Sequence, residues 1–407
     1  MNVNITISPD FSALVTLPVS KSVVNRQLLL NALSSRGHQG DGPFDGKRAD
    51  DILAMRRGLS AGDGEVVDVD GAGTALRFLT AYWATREGRT VVLTGNARLC
   101  ERPIAPLVDA LRQLGADITY MDHEGFAPLR IAGRQLRGSR LSLRGDVSSQ
   151  FVSALMMIGP VIGGLELELT GELVSRPYID MTGALMERHG VAVECHDHVI
   201  AVPAGSYQTL PLSDEGDWSA AAFWLALQAL LPQARITLQG LHRDSVQGDS
   251  RIVYIMEQMG MVTHWHADGS LTADMSGAHC CCCSTFADLT DTPDLAPVLV
   301  TLLCLLGRPF RVTGLRTLRH KESNRQEALR MELRKLGYVI TIEGDDAISW
   351  HFATCPPSEH PVIDPHGDHR IAMALALAAV RHPGLTIADA GVVDKSYPGL
   401  WQHLGIC

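Results

Sequence analysis

The residues of this sequence best suited to chemistry are cations and hydroxyls placed where helices are predicted to begin. Residues 17–26 place Lys21 and Ser22 directly before an apolar helical pattern, and Arg26 follows within that pattern. Backbone N–H groups and the helix dipole favour an anion at a helix N-terminus, so these side chains predict a site for a phosphate or carboxylate group. An ordinary capped helix with a lysine in its first turn would give the same pattern.

A denser group of charges lies in the second half of the chain. Lys321 and Arg325 are four residues apart and would share one helical face if a helix begins before them. Glu322 between them could serve as a general acid or base whose pKa is tuned by neighbouring cations. Asp294 begins an apolar run, where N-capping is the simpler explanation, and a solvated run of charges would equally explain residues 319–325. The remaining charged positions of this kind are Asp368, Arg370 and Lys395.

The first half of the chain carries further polar candidates at predicted helix entries. Gly71 and Gly73 precede Arg77, and a backbone without Cβ atoms lets a ligand approach closely, although any tight turn could use the same glycines. The other candidates in this half are Arg102, the capping sequence of Ser148, Ser149 and Gln150, and Ser175.

These polar groups stand at the entries of an internal repeat. Each copy comprises a polar or glycine-rich entry, a helix of small apolar residues, a short loop, a β-rich strand and a glycine. The helix is predicted six times, over residues 20–33, 71–84, 148–158, 218–231, 294–306 and 368–380. Strands are predicted after five of these helices, over residues 90–95, 165–171, 234–240, 310–314 and 385–391.

A second type of helix lies between the copies and is amphipathic with a 3.6-residue period. It is predicted over residues 107–114, 178–189, 252–259 and 325–336. A glycine follows each of these helices and could end it in the left-handed conformation. Hairpin signals at residues 196–197 and 268–269 follow two of them.

The repeating unit is therefore β-α-β-α-β-β, and six units fill the chain, with the first and last abbreviated. Units this large predict two globular α/β domains of three units each rather than a solenoid, with a boundary near residues 213–217. The apolar helices are predicted to be buried. If the three buried helices of a domain point the same way, their polar entries converge on one face that attracts anions.

Composition limits the partners of the chain. A net charge of −10 over 407 residues argues against nucleic acid or an anionic membrane, although a cleft could still focus positive potential on a small anion. Residues 1–10 lack the features of a signal peptide, and apolar runs such as 295–306 are too short to span a bilayer. Nine cysteines without the paired pattern of a small scaffold suit a reducing cytosol.

Four consecutive cysteines, Cys280–Cys283, invite a comparison with metal sites. Successive residues of a strand point to opposite faces, so these four cannot all bind one metal ion. A strand of small buried side chains is the preferred interpretation, and a two-ligand site with His279 is the alternative.

Taken in order along the chain, the polar segments resemble those of the 3-phosphoshikimate 1-carboxyvinyltransferase (EPSP synthase) family over nearly the whole sequence. The matching segments are residues 21–26, 73–77, 101–104, 148–151, 175–180, 293–294, 321–325, 368–370 and 395–398. The resemblance implies an α/β (α+β) fold, the two-domain enolpyruvyl transferase fold with three units in each domain. It also implies that residues 1–17 join residues 215–407 in one domain, that residues 18–214 form the other, and that the active site lies in the cleft between them.

The family transfers the enolpyruvyl group of phosphoenolpyruvate to the 5-hydroxyl of shikimate 3-phosphate, and the resemblance implies both substrates for this chain. Shikimate 3-phosphate would contact Lys21, Ser22, Arg26, Ser148, Ser149, Gln150, Ser175, Asp294 and Lys321. Phosphoenolpyruvate would contact Lys21, Gly73, Arg102, Gln150, Arg325, Arg370 and Lys395. Asp294 is implied as the base for the hydroxyl, and Glu322 with Lys21 as the acid for the methylene carbon; Asp294 and Glu322 are expected to titrate near the working pH once the site closes.

No metal or other cofactor is implied, because the cations themselves neutralise developing charge. The expected enzyme is a cytoplasmic monomer without nucleic-acid or membrane partners. Four positions depart from the family pattern: Val19, Gly71, Phe78 and Thr317. Because Gly73 is retained, and a Cβ at this position crowds the herbicide glyphosate in the family, we expect glyphosate to inhibit the enzyme.

Two alternatives remain beside this hypothesis. The sister enolpyruvyl transferase acting on UDP-N-acetylglucosamine uses a cysteine on a glycine-rich loop upstream of an Arg-Pro pair. Cys100 lies close to Arg102 here, but that loop is missing. The chain could also be a non-catalytic ligand-binding relative, against which the intact Lys21, Asp294 and Glu322 argue.

Overall fold

The computed structural model describes residues 1–34, 49–146, 148–275 and 284–406. The strands of these residues, in chain order, are β1 (Val3–Ile5), β2 (Ser12–Thr16), β3 (Glu65–Asp68), β4 (Thr90–Thr94), β5 (Asp117–Tyr120), β6 (Leu129–Ala132), β7 (Arg140–Arg144), β8 (Leu165–Thr170), β9 (Glu194–His196), β10 (Val199–Val202), β11 (Arg235–Gln239), β12 (Met261–Trp265), β13 (Leu271–Met275), β14 (Thr285–Asp288), β15 (Phe310–Thr313), β16 (Thr341–Glu343), β17 (Ala347–Trp350), β18 (Val362–Ile363) and β19 (Leu385–Ile387).

The helices of the same residues fall into α-helices and short 3-10 turns. The α-helices are α1 (Lys21–Leu33), α2 (Asp50–Leu59), α3 (Gly73–Ala84), α4 (Ala97–Cys100), α5 (Ala105–Gln113), α6 (Ser149–Ile158), α7 (Arg176–Arg188), α8 (Trp218–Leu230), α9 (Ile252–Gln258), α10 (Ala296–Leu305), α11 (Arg325–Lys335), α12 (His369–Ala376) and α13 (Leu400–His403). The 3-10 turns are Gly159–Ile162, Gly248–Arg251, Pro293–Leu295, Arg316–His320, Leu377–Val380 and Ala390–Lys395.

Four sheets of four strands share one topology, which confirms the predicted repeat. Their orders are β3-β4-β6-β5, β7-β8-β10-β9, β2-β11-β13-β12 and β14-β15-β17-β16. In each sheet the first two strands are parallel and the remaining neighbours are antiparallel. A parallel pair needs a crossover, which a core helix supplies, whereas the antiparallel pair closes as a hairpin.

Within the described residues, the two outermost copies differ from the other four. The last one is a three-stranded sheet in which β18 lies parallel to β19 and β1 pairs antiparallel with β19. The first copy is represented, among the residues that the structure describes, by α1 and α2 alone. The last copy is therefore abbreviated, as the sequence predicts.

The chain divides into two compact units. Lys21–Ser213 form one, here called the inserted unit, and Met1–Ser20 with Asp214–Cys407 form the other, here called the split unit. The parallel pair β2–β11 explains the division, because the chain leaves after β2, builds the whole inserted unit and then returns to make α8 and β11. The boundaries between the units fall after Ser20 and after Ser213. The sequence analysis placed them after residues 17 and 214. That these units are two domains of three repeat units each remains a prediction.

The helices of small apolar residues are buried as predicted. All ten residues of α10 are buried, and so are all residues of α8 except Ser219 at its polar entry. The amphipathic helices α5, α7, α9 and α11 end as predicted too, because the glycine after each has a positive φ of 92° to 102°. Glycine alone adopts this conformation without strain.

The remaining sequence expectations concern membranes and metals. Among the residues that the structure describes, none of the helices combines the length and the apolar character that a membrane span requires. Within the same residues, no group of three or more His, Cys, Asp or Glu side chains is arranged to hold a metal ion. His279 and Cys280–Cys283 lie outside the described residues.

Candidate active site

The split unit gathers charged side chains where three of its core helices begin. Arg370, in the first turn of α12, donates from Nη2 to Ser219 Oγ of α8 at 3.1 Å. The same Nη2 lies 3.2 Å from Oδ2 of Asp294, in the turn that leads into α10. The polar entries of the three helices therefore converge in this unit, as the sequence predicts. We call this group the ion-pair cluster; its members are Ser219, Asp249, Asp294, Lys321, Glu322, Arg325, Asp368, Arg370 and Lys395.

Arg325 lies at the centre of the ion-pair cluster and is 1% exposed. Its Nε donates to Asp368 Oδ2 at 2.7 Å, Nη1 to Asp294 Oδ1 at 2.8 Å, and Nη2 to Glu322 Oε2 at 2.9 Å. Burial alone would lower the pKa of Arg325, but the three carboxylates outweigh it and raise the pKa above its usual value. Arg325 is thus a permanent cation that fixes three carboxylates in place.

Lys321 does not share a helical face with Arg325. Helix α11 begins at Arg325, behind the cap of Asn324, whose side chain accepts from the Glu327 N–H, whereas Lys321 has extended backbone with ψ of −160°. The conditional expectation of a shared face is therefore wrong. The two cations meet instead through Asp294, whose Oδ1 lies 3.1 Å from Lys321 Nζ.

Asp294 is an ion-pair residue rather than a helix cap. Thr292 occupies the N-cap position of its turn, and Asp294 contacts Lys321, Arg325 and Arg370. Burial raises its pKa, but the positive charges of these cations outweigh burial and hold the pKa of Asp294 well below its usual range. Asp294 is therefore held in its ionised form by these cations.

Glu322 bridges two cations of the ion-pair cluster. Its Oε1 lies 3.0 Å from Lys395 Nζ, while Oε2 accepts from Arg325. The cations Lys321, Arg370 and Lys395 retain side-chain exposures of 23%, 13% and 14%. Solvent contacts these three cations, whereas the central Arg325 is closed off.

The inserted unit places its own candidates at the starts of α1, α3 and α6. Lys21 Nζ forms an ion pair with Asp51 Oδ2 at 2.7 Å. Arg26 is fully buried and donates to uncharged acceptors: Thr182 Oγ1 at 2.7 Å, the Ser22 carbonyl at 2.8 Å, Ser153 Oγ and the Tyr178 carbonyl. Burial lowers the pKa of Arg26 to about 10. Its position behind Ser22 makes it a support for the start of α1.

Gly73 opens α3 beside two arginines. A Cβ at Gly73 would lie 2.7 Å from Arg102 Nη1 and 2.9 Å from Arg77 Nη1, closer than real contacts allow. Arg77 is occupied, since its Nη1 donates to the Gly73 carbonyl at 3.1 Å. Arg102 is 9% exposed, and its Nε has no hydrogen-bond partner among the described residues. A buried guanidinium in this state is a candidate anion ligand.

Gln150 and the serines complete the set in the inserted unit. Gln150 Nε2 donates to Thr74 Oγ1 at 3.0 Å, so the entries of α3 and α6 meet, and Gln150 Oε1 has no partner within the described residues. Ser148 caps α6 by accepting from the Gln150 N–H, and Ser149 is the first residue of that helix. Ser175 precedes α7 with a φ of 56°, a left-handed conformation that is strained for serine and is common at functional sites.

Sequence reasoning missed several partners that hold these residues. Asp51, Thr182 and Ser153 hold Lys21 and Arg26, and Asp249 contacts Ser219. These side chains stand apart from the repeat entries, so no spacing marked them. One signal was available for α11, because Asn324 followed by Glu327 is a helix-start pattern.

The fold is that of an α/β protein built from repeated units. Its helix starts present cations, hydroxyls and carboxylates, and these define a class of protein suited to small anionic substrates. Comparison with known proteins makes this specific. A family model described as EPSP synthase (3-phosphoshikimate 1-carboxyvinyltransferase) matches residues 45–404. The chain belongs to this family.

Individual relatives agree over nearly full length. A 3-phosphoshikimate 1-carboxyvinyltransferase of Bacteroides fragilis is 45% identical over 397 residues, covering 97% of this chain and 95% of the relative. One of Shewanella halifaxensis is 34% identical and covers 96% of each. A solved EPSP synthase structure from Acinetobacter baumannii superposes with a TM-score of 0.72 at 22% identity, covering 99% of this chain and 97% of that one. The structural match confirms the fold.

Proposed function

We propose that this chain transfers the enolpyruvyl group of phosphoenolpyruvate to the 5-hydroxyl of shikimate 3-phosphate and releases phosphate. The products are 5-enolpyruvylshikimate 3-phosphate and phosphate, so the enzyme serves the shikimate pathway to chorismate and the aromatic amino acids. Membership of the family supports the reaction. The observation in this chain that carries it is the ion-pair cluster, in which the partly exposed cations Lys321 and Arg370 adjoin the carboxylate of Asp294 at converging helix starts.

We assign each substrate to side chains from both the ion-pair cluster of the split unit and the candidates of the inserted unit. In the proposal, shikimate 3-phosphate contacts Lys21, Ser22, Arg26, Ser148, Ser149, Gln150, Ser175, Asp294 and Lys321. Phosphoenolpyruvate contacts Lys21, Gly73, Arg102, Gln150, Arg325, Arg370 and Lys395. The observations that support Arg102 and Gln150 are their polar atoms without partners among the described residues. Arg26 and Arg325 are buried among their own neighbours, so in the proposal they also position the groups around them, besides contacting their substrates.

The chemistry requires one base and one acid. The 5-hydroxyl oxygen bonds to C2 of phosphoenolpyruvate while its proton passes to Asp294, and the C3 methylene carbon takes a proton from Glu322, assisted by Lys21. In the second step C3 returns its proton to Glu322, the leaving phosphate oxygen takes the proton held by Asp294, and breaking the C2–O bond to phosphate restores the double bond. The cations stabilise the charge that develops on the phosphate and carboxylate oxygens. Asp294 becomes basic enough because the anionic substrates engage Arg370 and Lys321 and so weaken their hold on its pKa.

A phosphate-release assay tests the proposal. The purified chain is expected to release phosphate from phosphoenolpyruvate when shikimate 3-phosphate is added, and to show background release with either substrate alone. UDP-N-acetylglucosamine serves as the competing acceptor, and release with that sugar only would favour the sister transferase. No release with any acceptor would favour a non-catalytic relative.

The proposal also covers the oligomeric state of the enzyme and its location in the cell. We propose a cytoplasmic enzyme that works as a monomer, and the support for the monomer is that both sets of side chains come from one chain. Light scattering of the purified protein, with and without substrates, tests the assembly. A mass near twice the chain's 44.0 kDa would contradict it.

Replacing Gly73 by alanine should weaken phosphoenolpyruvate binding. The new Cβ would push against Arg102 Nη1 and Arg77 Nη1. We expect the KM for phosphoenolpyruvate to rise about tenfold with a smaller change in kcat, because a displaced guanidinium loses a charge-assisted hydrogen bond. Glyphosate should inhibit the wild type in competition with phosphoenolpyruvate and should inhibit Gly73→Ala less strongly. Steady-state kinetics at several glyphosate concentrations measure both effects.

Gly62→Ala is the matched control for this variant. A Cβ at Gly62 meets Glu65 Oε2 at an ordinary 3.6 Å, so both KM and inhibition should stay at wild-type values.

Phe78, which replaces a common proline of the family, lies buried under Arg26 with its ring centroid 5.4 Å from the guanidinium carbon. Full wild-type activity at high glyphosate would contradict the expected sensitivity.

A further inference from the structure

Arg370 is held from a second side by residues that the proposed function does not use. Its Nη2 donates to Ser219 Oγ at 3.1 Å, and its Nη1 lies 4.0 Å from Asp249 Oδ2. Ser219 in turn donates its hydroxyl hydrogen to Asp249 Oδ2. Asp294 stands on the other side of the guanidinium. Arg370 is thus placed between two carboxylates, one in direct contact and one reached through a hydroxyl.

The direction of these hydrogen bonds is set by the groups themselves. A guanidinium only donates, and an ionised carboxylate only accepts. The Ser219 hydroxyl has one hydrogen and two lone pairs, so it must accept from Arg370 and donate to Asp249. A hydroxyl polarised in this way by charges on both sides holds both partners more firmly than it would hold neutral groups.

We propose that Asp249 and Ser219 are positioning residues for phosphoenolpyruvate, because together they keep the Arg370 guanidinium from moving fully onto Asp294. The inference rests on the proposed function, in which Arg370 contacts phosphoenolpyruvate. Without this hold Arg370 shifts toward Asp294. The cation is then less available to the ligand, which raises the KM for phosphoenolpyruvate.

Burial and charge give the arrangement a pH dependence. Asp249 is 5% exposed, in the turn Gly248–Arg251, and burial raises its pKa to about 6. The charge of Arg370 and the Ser219 hydrogen bond lower this pKa, while the charges of Asp294 and of Asp217, which caps α8, raise it. Asp249 therefore changes from neutral to charged within the range in which the enzyme can be assayed.

Two variants separate the hydroxyl link from the charge. Ser219→Ala removes the link, and Asp249→Asn keeps the shape but removes the charge. With shikimate 3-phosphate saturating, we expect the KM for phosphoenolpyruvate at pH 8 to rise about tenfold in Asp249→Asn and about fivefold in Ser219→Ala, with kcat within about threefold. Asp274→Asn, an exposed carboxylate of β13 paired with His264, is the control and should keep wild-type kinetics.

The pH profile distinguishes positioning from a merely structural role. The ratio of the KM of Asp249→Asn to that of the wild type should be large at pH 8 and approach one at pH 5.5, where the wild-type Asp249 is also neutral. Using the ratio cancels the titration of the substrate phosphate itself. The unfolding midpoint of Asp249→Asn at pH 8 should equal or exceed that of the wild type, because ionising a carboxyl with a raised pKa costs folded-state stability above that pKa.

The outcomes are separable. An active wild type with unchanged KM values in both variants, or a KM ratio that does not vary with pH, would overturn the inference alone. A loss of stability with parallel losses in kcat and affinity would assign Asp249 to the fold and overturn it as well. A wild type that releases no phosphate would remove the proposed function, and the inference with it.

Discussion

Replacing Asp294 by asparagine should lower kcat for phosphate release by about 10²–10⁴-fold, the usual contribution of a general base. Asparagine keeps the size of the side chain and can still accept from Arg325 Nη1, now 2.8 Å from the carboxylate. It cannot take the proton of the attacking hydroxyl. Because Lys321 and Arg370 keep their charges, we expect the Kd for shikimate 3-phosphate to stay within about tenfold of the wild type. Calorimetry and rapid-quench kinetics measure the two quantities separately.

Asp291→Asn provides a control three residues earlier in the chain. Its carboxylate is 43% exposed and lies 3.8 Å from Arg251 Nη1, outside the ion-pair cluster. This variant should keep wild-type kcat and affinity. Turnover by Asp294→Asn at the wild-type rate would remove Asp294 from the role of base, whereas lost substrate binding with unchanged stability would make it a binding residue instead.

The lowered pKa of Asp294 implies that the substrates must weaken the influence of its neighbouring cations before it can act as a base. The sequence analysis expected this group to titrate near the working pH once the site closes, yet without substrates its neighbouring cations hold the pKa well below the usual range. Two of these cations, Arg370 and Lys321, are partly exposed, and the third, Arg325, is buried. Anionic substrates can therefore neutralise the first two and leave the third in place. Binding and activation of the base would then be one event.

Periodicity predicted the helices well because the apolar pattern of a buried helix and the glycine after its end are both features of the local sequence. The apolar period of residues 218–231 became the buried helix α8, and Gly337 ends α11 with a φ of 96°. The same reasoning located the polar helix entries, since those residues interrupt an apolar pattern. It could not identify their partners, because Lys21 meets Asp51 thirty residues away and Arg370 meets Ser219 across 151 positions. Such contacts depend on how the repeats pack.

One prediction about the site was wrong because helix α11 begins later than the spacing of its charges suggested. The spacing of Lys321 and Arg325 fits one helical face, but Asn324 caps α11 and leaves Lys321 on extended backbone. The two cations instead contact one carboxylate, that of Asp294, a contact that the sequence analysis did not anticipate because it interpreted Asp294 as a helix cap.

Replacing Arg325 by methionine should cost about 3–5 kcal/mol in the free energy of unfolding at pH 7, since it leaves Asp294, Glu322 and Asp368 without their central buried cation. Arg325→Lys keeps the charge without the planar fork, and it should recover part of this loss. Arg330→Met is the matched control in the same helix, because Arg330 forms a surface pair with Glu327 worth at most about 1 kcal/mol. Urea unfolding of the three variants and the wild type measures the differences.

The pH dependence of that loss follows from the sign of the Asp294 shift. Its folded-state pKa lies well below the ordinary 3.8, so ionised Asp294 stabilises the wild type above that pH, and this stabilisation fades as the pH falls below it. In Arg325→Met the same carboxylate lacks one of its cations and takes up a proton at higher pH than in the wild type. The difference in unfolding free energy should therefore be largest at pH 7 and shrink as the pH falls through the higher pKa of Asp294 in the variant towards the wild-type pKa, which lies well below 3.8. A difference that is constant with pH would mean that Arg325 acts through packing, and a loss below about 1 kcal/mol at pH 7 would show that the carboxylates hold their positions without it.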